Sequence, residues 1–106
     1  DTVDAGSGVD RIEGGAGDDL LKGGSGQDTF VFAAGFGHDT ISDFATSGAS
    51  ADVLEFSIDV FADFASAMAS ATQVGSDVVF TIDGDTTLTL DHVKLANLGA
   101  DDFRFV

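Results

Sequence analysis

Asp10, Asp19, Asp28 and Asp39 each close a glycine-rich phrase and each precede a short apolar stretch, and the first three recur every nine residues. The phrases are Ala5-Gly6-Ser7-Gly8-Val9-Asp10, Gly14-Gly15-Ala16-Gly17-Asp18-Asp19, Gly23-Gly24-Ser25-Gly26-Gln27-Asp28 and Ala34-Gly35-Phe36-Gly37-His38-Asp39, with Asp1 ending a fragment of the same kind. Every ligand that the shared positions of such a phrase offer is an oxygen. The glycines allow tight turns that present backbone carbonyls, and the sixth position adds a carboxylate. Calcium takes about six to eight oxygen ligands of these two kinds. The pattern contains no thiolate and no regular imidazole, which disfavours zinc and copper.

A short strand must follow each turn to hold it in place. The three residues after each aspartate read x-apolar-x, and side chains alternate across a strand, so Val3, Ile12, Leu21, Phe30 and Ile41 face inward. A fixed nine-residue period is the mark of a parallel β-helical solenoid, whose units bury their apolar faces only by stacking. The insertion Phe32-Ala33 breaks the period before the last phrase and is expected to shift or weaken the site there.

The composition points to the same partner. With 106 residues the chain makes one compact unit with a modest core. Its net charge of -15 excludes a binder of nucleic-acid phosphates and argues against an anionic membrane surface. Stacking such a chain on itself requires cations. Disorder is excluded by the 43% hydrophobic content, which includes ten Phe. The absence of Cys removes disulfides, leaving bound ions as the available staple, and no apolar run reaches the roughly 18 residues of a membrane-spanning helix.

Beyond Phe44 the pattern changes. Residues 45–51 form a loop of small side chains, and Leu54 and Phe56 alternate as a strand. Phe61, Phe64, Ala65, Met68 and Ala71 recur at helical spacing, predicting an amphipathic helix from Val60 to Thr72 with Asp59 as N-cap and Gly75 just past its end. Val78–Ile82 and Thr86–Leu90 predict a hairpin, and a three-residue loop at Asp83-Gly84-Asp85 places Phe80 opposite Leu88 and Val78 opposite Leu90. The chain ends in a strand on which Phe103 and Phe105 share a face.

The nonapeptides resemble the repeat-in-toxin (RTX) family, and residues 45–106 resemble the C-terminal region that follows such repeats in serralysin-like proteases and other bacterial type I secretion substrates. The resemblance implies a mostly β fold, a short right-handed parallel β-roll over residues 1–44 capped by a C-terminal region over 45–106 within one compact unit. It further implies that loops two repeats apart stack, 5–10 on 23–28 and 14–19 on 34–39, with calcium between them. The implied ligands are Asp1, Asp10, Asp19, Asp28 and Asp39 through carboxylates, and Ala5, Gly6, Gly8, Gly14, Gly15, Gly17, Gly23, Gly24, Gly26, Gly35 and Gly37 through loop carbonyls. Asp43 and Asp52 resemble the acidic residues that complete a last site where such rolls close. Three or four ions are expected.

On this resemblance the chain is the calcium-binding C-terminal module of a larger secreted protein, folding when it meets calcium outside the cell. Asp101-Asp102-Phe103-Arg104-Phe105-Val106 resembles the uncleaved export signal read by the type I secretion machinery. The other implied partner is the upstream part of the parent protein, and a monomer is expected. A catalytic domain is disfavoured: there is no Cys, the serines lack a glycine-x-serine-x-glycine elbow, and His38 and His92 are isolated in the sequence. The rival reading is an adhesion module contacting carbohydrate or protein, and a third is a structural spacer. The absence of Tyr and Trp, which line many sugar sites, weakens the rival.

Overall fold

The computed structural model describes residues 2–13, 15–33, 35–44 and 51–106. Asp1, Gly14, Ala34 and most of the small-residue loop before Asp52 lie outside the described residues. Five short strands follow the phrases: β1 (Thr2–Asp4), β2 (Arg11–Glu13), β3 (Leu20–Lys22), β4 (Thr29–Phe32) and β5 (His38–Ile41). They alternate between two sheets. β1, β3 and β5 pair in parallel in one, and β2 and β4 pair in parallel in the other. The C-terminal half adds β6 (Val53–Phe56), the helix α1 (Phe64–Ala69), β7 (Ala71–Val74), β8 (Asp77–Asp83), β9 (Thr86–Leu90) and β10 (Phe103–Phe105).

The nine-residue period puts equivalent side chains in register. Val3, Leu21, Ile41 and Leu90 form one column across β1, β3, β5 and β9. Ile12, Phe30, Leu54 and Phe103 form the other across β2, β4, β6 and β10. All of these except Val3 are buried, so the inward positions read from the repeats become the core of the roll.

The last strands do more than cover an open end. β9 lies parallel beside β5 and β10 parallel beside β6, so each sheet gains a further rung from the C-terminal half. β8 and β7 then continue the first sheet antiparallel. The hairpin register is the expected one, with Phe80 opposite Leu88 and Val78 opposite Leu90. Its turn differs in detail: Asp83 pairs with Thr86, and the pairing shifts between Thr81 and Asp83, so Ile82 is bulged.

The helix is shorter than its apolar spacing predicts. It runs from Phe64 to Ala69, and its N-cap is Asp63, whose carboxylate accepts from the Ser66 amide at 2.8 Å. Burial of Phe61 ahead of the helix and pairing of Ala71–Val74 with β8 claim the residues at either end. Gly75, with φ 60°, turns β7 into β8 instead of capping the helix.

Phe56 is the hub of the C-terminal core. Its ring lies 5.0 Å from Phe61, 5.5 Å from Phe32, 6.1 Å from Phe80 and 6.2 Å from Phe103, within the range where aromatic pairs add to simple burial. On the outer side of the second sheet, the buried Glu55 carboxylate accepts from Arg11 at 2.6 Å and from Arg104 at 3.4 Å. This ties β2, β6 and β10 together. The arginine hydrogen bonds hold Glu55 below the usual carboxylate range against the opposing effect of burial.

Candidate metal centre

Each glycine-rich loop bends because its glycines adopt positive φ: 81° and 101° at Gly6 and Gly8, 80° and 90° at Gly24 and Gly26. The turns stack as the repeat spacing requires. Loop 23–28 lies so close to loop 5–10 that a Cβ on Gly24 would collide with the Gly6 carbonyl oxygen, and one on Gly26 would lie 2.5 Å from that of Gly8. Both carbonyls therefore point toward the neighbouring loop. On the other side of the roll the Gly17 carbonyl rises in the same way against Gly37.

The sixth-position aspartates form ladders along these stacks. Asp28 Oδ1 accepts from the Asp10 amide at 3.0 Å, and Asp52 Oδ1 accepts from the Asp28 amide at 2.9 Å. Across the roll, Asp39 Oδ1 accepts from the Asp19 amide at 3.0 Å. In Asp10, Asp28 and Asp39 the second carboxylate oxygen is buried and, among the described residues, has no hydrogen-bond partner. A buried, unpartnered carboxylate oxygen is costly and calls for a compensating group.

Electrostatics points the same way. Burial pushes Asp39 up to about 7, reinforced by the charges of Asp19 and Asp18 and only partly opposed by the Asp19 amide. Burial also raises Asp28, with the charges of Asp10 and Asp43 adding to it and the Asp10 amide opposing it. Among the described residues no three acidic or imidazole side chains converge on one point, so a cation held here takes many of its ligands from backbone carbonyls. The available donors are carbonyl and carboxylate oxygens, which is the donor set of a hard divalent cation of calcium's size.

The structure brings together Ala5, Gly6, Gly8 and Asp10 with Gly23, Gly24, Gly26 and Asp28, and Gly17 and Asp19 with Gly37 and Asp39. Gly35 is different. Among the described residues a Cβ there would meet nothing within 4 Å, nor would one on Gly15. Asp43 sits beside loop 23–28 and accepts from the amides of Gly23 and Gly24. Asp52 stands where a sixth-position aspartate would, directly before β6. Asp1 and Gly14 lie outside the described residues. Sequence reasoning missed the Glu55 clamp, whose arginines come from strands far apart in the chain. It also missed the Gln73 side chain, which donates to Asp77 and Val93 carbonyls and accepts from the Leu95 amide, tying the last segment to β7.

The comparisons agree with this geometry. The family model described as RTX calcium-binding nonapeptide repeat (4 copies) matches residues 1–30. No curated protein matches the chain. Among solved structures, the extracellular lipase LipA from Serratia marcescens is similar at a TM-score of 0.69 and 26% identity, over 99% of this chain and 21% of that one. The chain thus spans about a fifth of that lipase's length. Residues 1–30 thus match RTX calcium-binding repeats, and the parallel sheets built on them form a β-roll.

Proposed function

We propose that the chain is a non-catalytic calcium-dependent folding module of a larger secreted protein. The observation that carries this reading is the set of buried carboxylate oxygens on Asp10, Asp28 and Asp39 that lack a partner, in a chain of net charge -15. Calcium between stacked loops supplies the missing positive charge. The Gly6, Gly8 and Gly17 carbonyls and the aspartate ladders are the principal ligands, with three or four ions in all. The second stack, interrupted at Gly35, holds the weaker site.

Because an ion that binds only the folded array stabilises it by mass action, folding follows calcium. In the low free calcium of a cell interior the chain stays extended enough for type I export, with its address in residues 101–106. Outside, where calcium reaches roughly the 10⁻⁴–10⁻³ M affinity range of extracellular modules, the roll closes. Residues 45–106 serve as its cap, in one compact unit with residues 1–44. The lipase in the similar structure supports the view that any activity belongs to an upstream part of the parent protein.

The test is a calcium titration followed by far-ultraviolet circular dichroism. Strand signal that appears on adding calcium and disappears with chelator is the expected outcome. A full strand signal in excess chelator at neutral pH sinks the proposal.

A further inference from the structure

Asp43 differs from Asp10, Asp28 and Asp39. Its Oδ1 accepts from the Gly23 amide at 3.0 Å and its Oδ2 from the Gly24 amide at 2.8 Å, across one full coil of the roll. Both of its oxygens are engaged, whereas Asp10, Asp28 and Asp39 each keep a buried oxygen without a partner. The neighbouring Phe44 is buried and packs on Phe30 at 6.1 Å between ring centroids, which fixes the backbone that carries Asp43.

The consequence follows from the planarity of the peptide unit. In a trans peptide the C=O of one residue points opposite to the N–H of the next. With the Gly23 amide turned toward Asp43, the Lys22 carbonyl must face the preceding coil, and there it accepts from the Ala5 amide at 3.0 Å. By the same rule the Gly24 amide, held by Asp43 Oδ2, directs the Gly23 carbonyl toward loop 5–10. That is the gap against which the Gly6 and Gly8 carbonyls are pressed.

We infer that Asp43 is a positioning residue for calcium bound between loops 5–10 and 23–28, acting through the Gly23–Gly24 peptide and not as a ligand. The inference rests on the calcium reading above. Loop 23–28 is thereby held at both ends by the coil that follows it, through Asp43 at Gly23 and Gly24 and through Asp52 at Asp28. Loop 5–10 is held by the following coil at Asp10, through Asp28, but among the described residues its Gly6 amide is met by Asp4 of its own coil, at 3.3 Å.

Two measurements test this. In the calcium-loaded wild-type protein, hydrogen exchange at the Gly23 and Gly24 amides should be as slow as at strand amides; fast exchange at either overturns the inference and needs no variant. In Asp43→Asn, which keeps one acceptor, europium luminescence lifetimes in light and heavy water should report the same number of bound ions and of inner-sphere waters as wild type. Affinity should fall about tenfold, the lower end of the effect of losing a group that orients a ligand. A gain of about one water per molecule, or loss of an ion at saturation, would show Asp43 to be a ligand and refute the inference. A wild-type protein that takes up no calcium would sink the calcium reading itself.

Discussion

The two loop stacks of the roll begin from the same amino-acid formula and end differently. Loop 23–28 meets loop 5–10 at two glycine contacts, Gly24 on Gly6 and Gly26 on Gly8. Across the roll, among the described residues, Gly37 lies close on Gly17 while Gly35 stands off from Gly15. The difference lies in two residues. Phe32 lengthens β4 and, with Ala33, delays the turn, and Phe32 and Phe36 both enter the core with their rings 4.9 Å apart. Where the regular stack has carbonyls against glycines, the other has a cavity of about 220 Å³ lined by Glu13, Gly15, Ala16, Val31, Ala33, Gly35 and Phe36. Close oxygen-lined packing therefore depends on strict register. When register slips, an aromatic anchor takes over half of the contact.

The sharpest way to break the comparison is a methyl group in the regular stack. Gly24→Ala puts a Cβ into the Gly6 carbonyl and forces a positive φ on a residue that resists it. Calorimetry should show the ion between loops 5–10 and 23–28 lost or weakened by more than about tenfold, equivalent to roughly 1.4 kcal/mol. Wild-type affinity in this variant would mean that the glycine contact is not part of the site.

The second test concerns the anchor of the interrupted stack. Phe36→Ala removes a buried ring packed on Phe32 and should lower the stability of the calcium-loaded protein by about 3–5 kcal/mol in denaturant unfolding. Binding of the ion between loops 5–10 and 23–28 should change little. If instead that ion is lost first, the two stacks are not separate.

The regular stack was also the legible one. Period, glycine positions and inward residues predicted both core columns as far as Ile41, because each depends on residues close in sequence. Asp52 could be read as well, since Asp52-Val53-Leu54 repeats the aspartate-x-apolar step. The rungs added by β9 and β10 could not, because parallel pairing joins segments far apart and leaves no local signal. Helix and strand competed directly at residues 70–75. Ala71 satisfied the helical spacing, but Thr72 and Val74 are β-branched, and pairing with β8 settled the contest. Gly75 suits either a helix end or a hairpin turn, and only the tertiary partner decides between them.

The pH response should sharpen the contrast with the Glu55 clamp. In the calcium-free fold burial raises Asp39 to about 7, so folded molecules take up a proton between there and the ordinary aspartate value, while unfolded ones do not. The contribution to stability is therefore greatest in acid and is lost as pH rises through about 7. Asp28, also raised by burial, acts in the same direction. Glu55 is held low by its arginines, so its contribution is present above the ordinary glutamate value and disappears below it. Chelated protein should consequently show more strand signal at pH 5 than at pH 8, and the folded protein should hold calcium less tightly as the pH falls below about 7, because the ion must displace the Asp39 proton. Chelated protein that is more folded at pH 8 would contradict the buried-carboxylate account.

The smallest effect is expected from Gly35→Ala, and its smallness is what makes it informative. Gly35 has φ 78°, so a side chain there carries the backbone penalty of about 1–2 kcal/mol for the left-handed region. Among the described residues nothing lies within 4 Å of the new Cβ, so no collision adds to it. Gly24 has nearly the same torsion, φ 80°, and the same substitution. The difference between the two variants therefore isolates contact with the loop beneath from the torsional penalty. Thermal unfolding in saturating calcium should show Gly35→Ala lowered by no more than that torsional penalty, with the bound ion count unchanged. An effect as large as that of Gly24→Ala would mean that Gly35 closes onto loop 14–19 once calcium is bound.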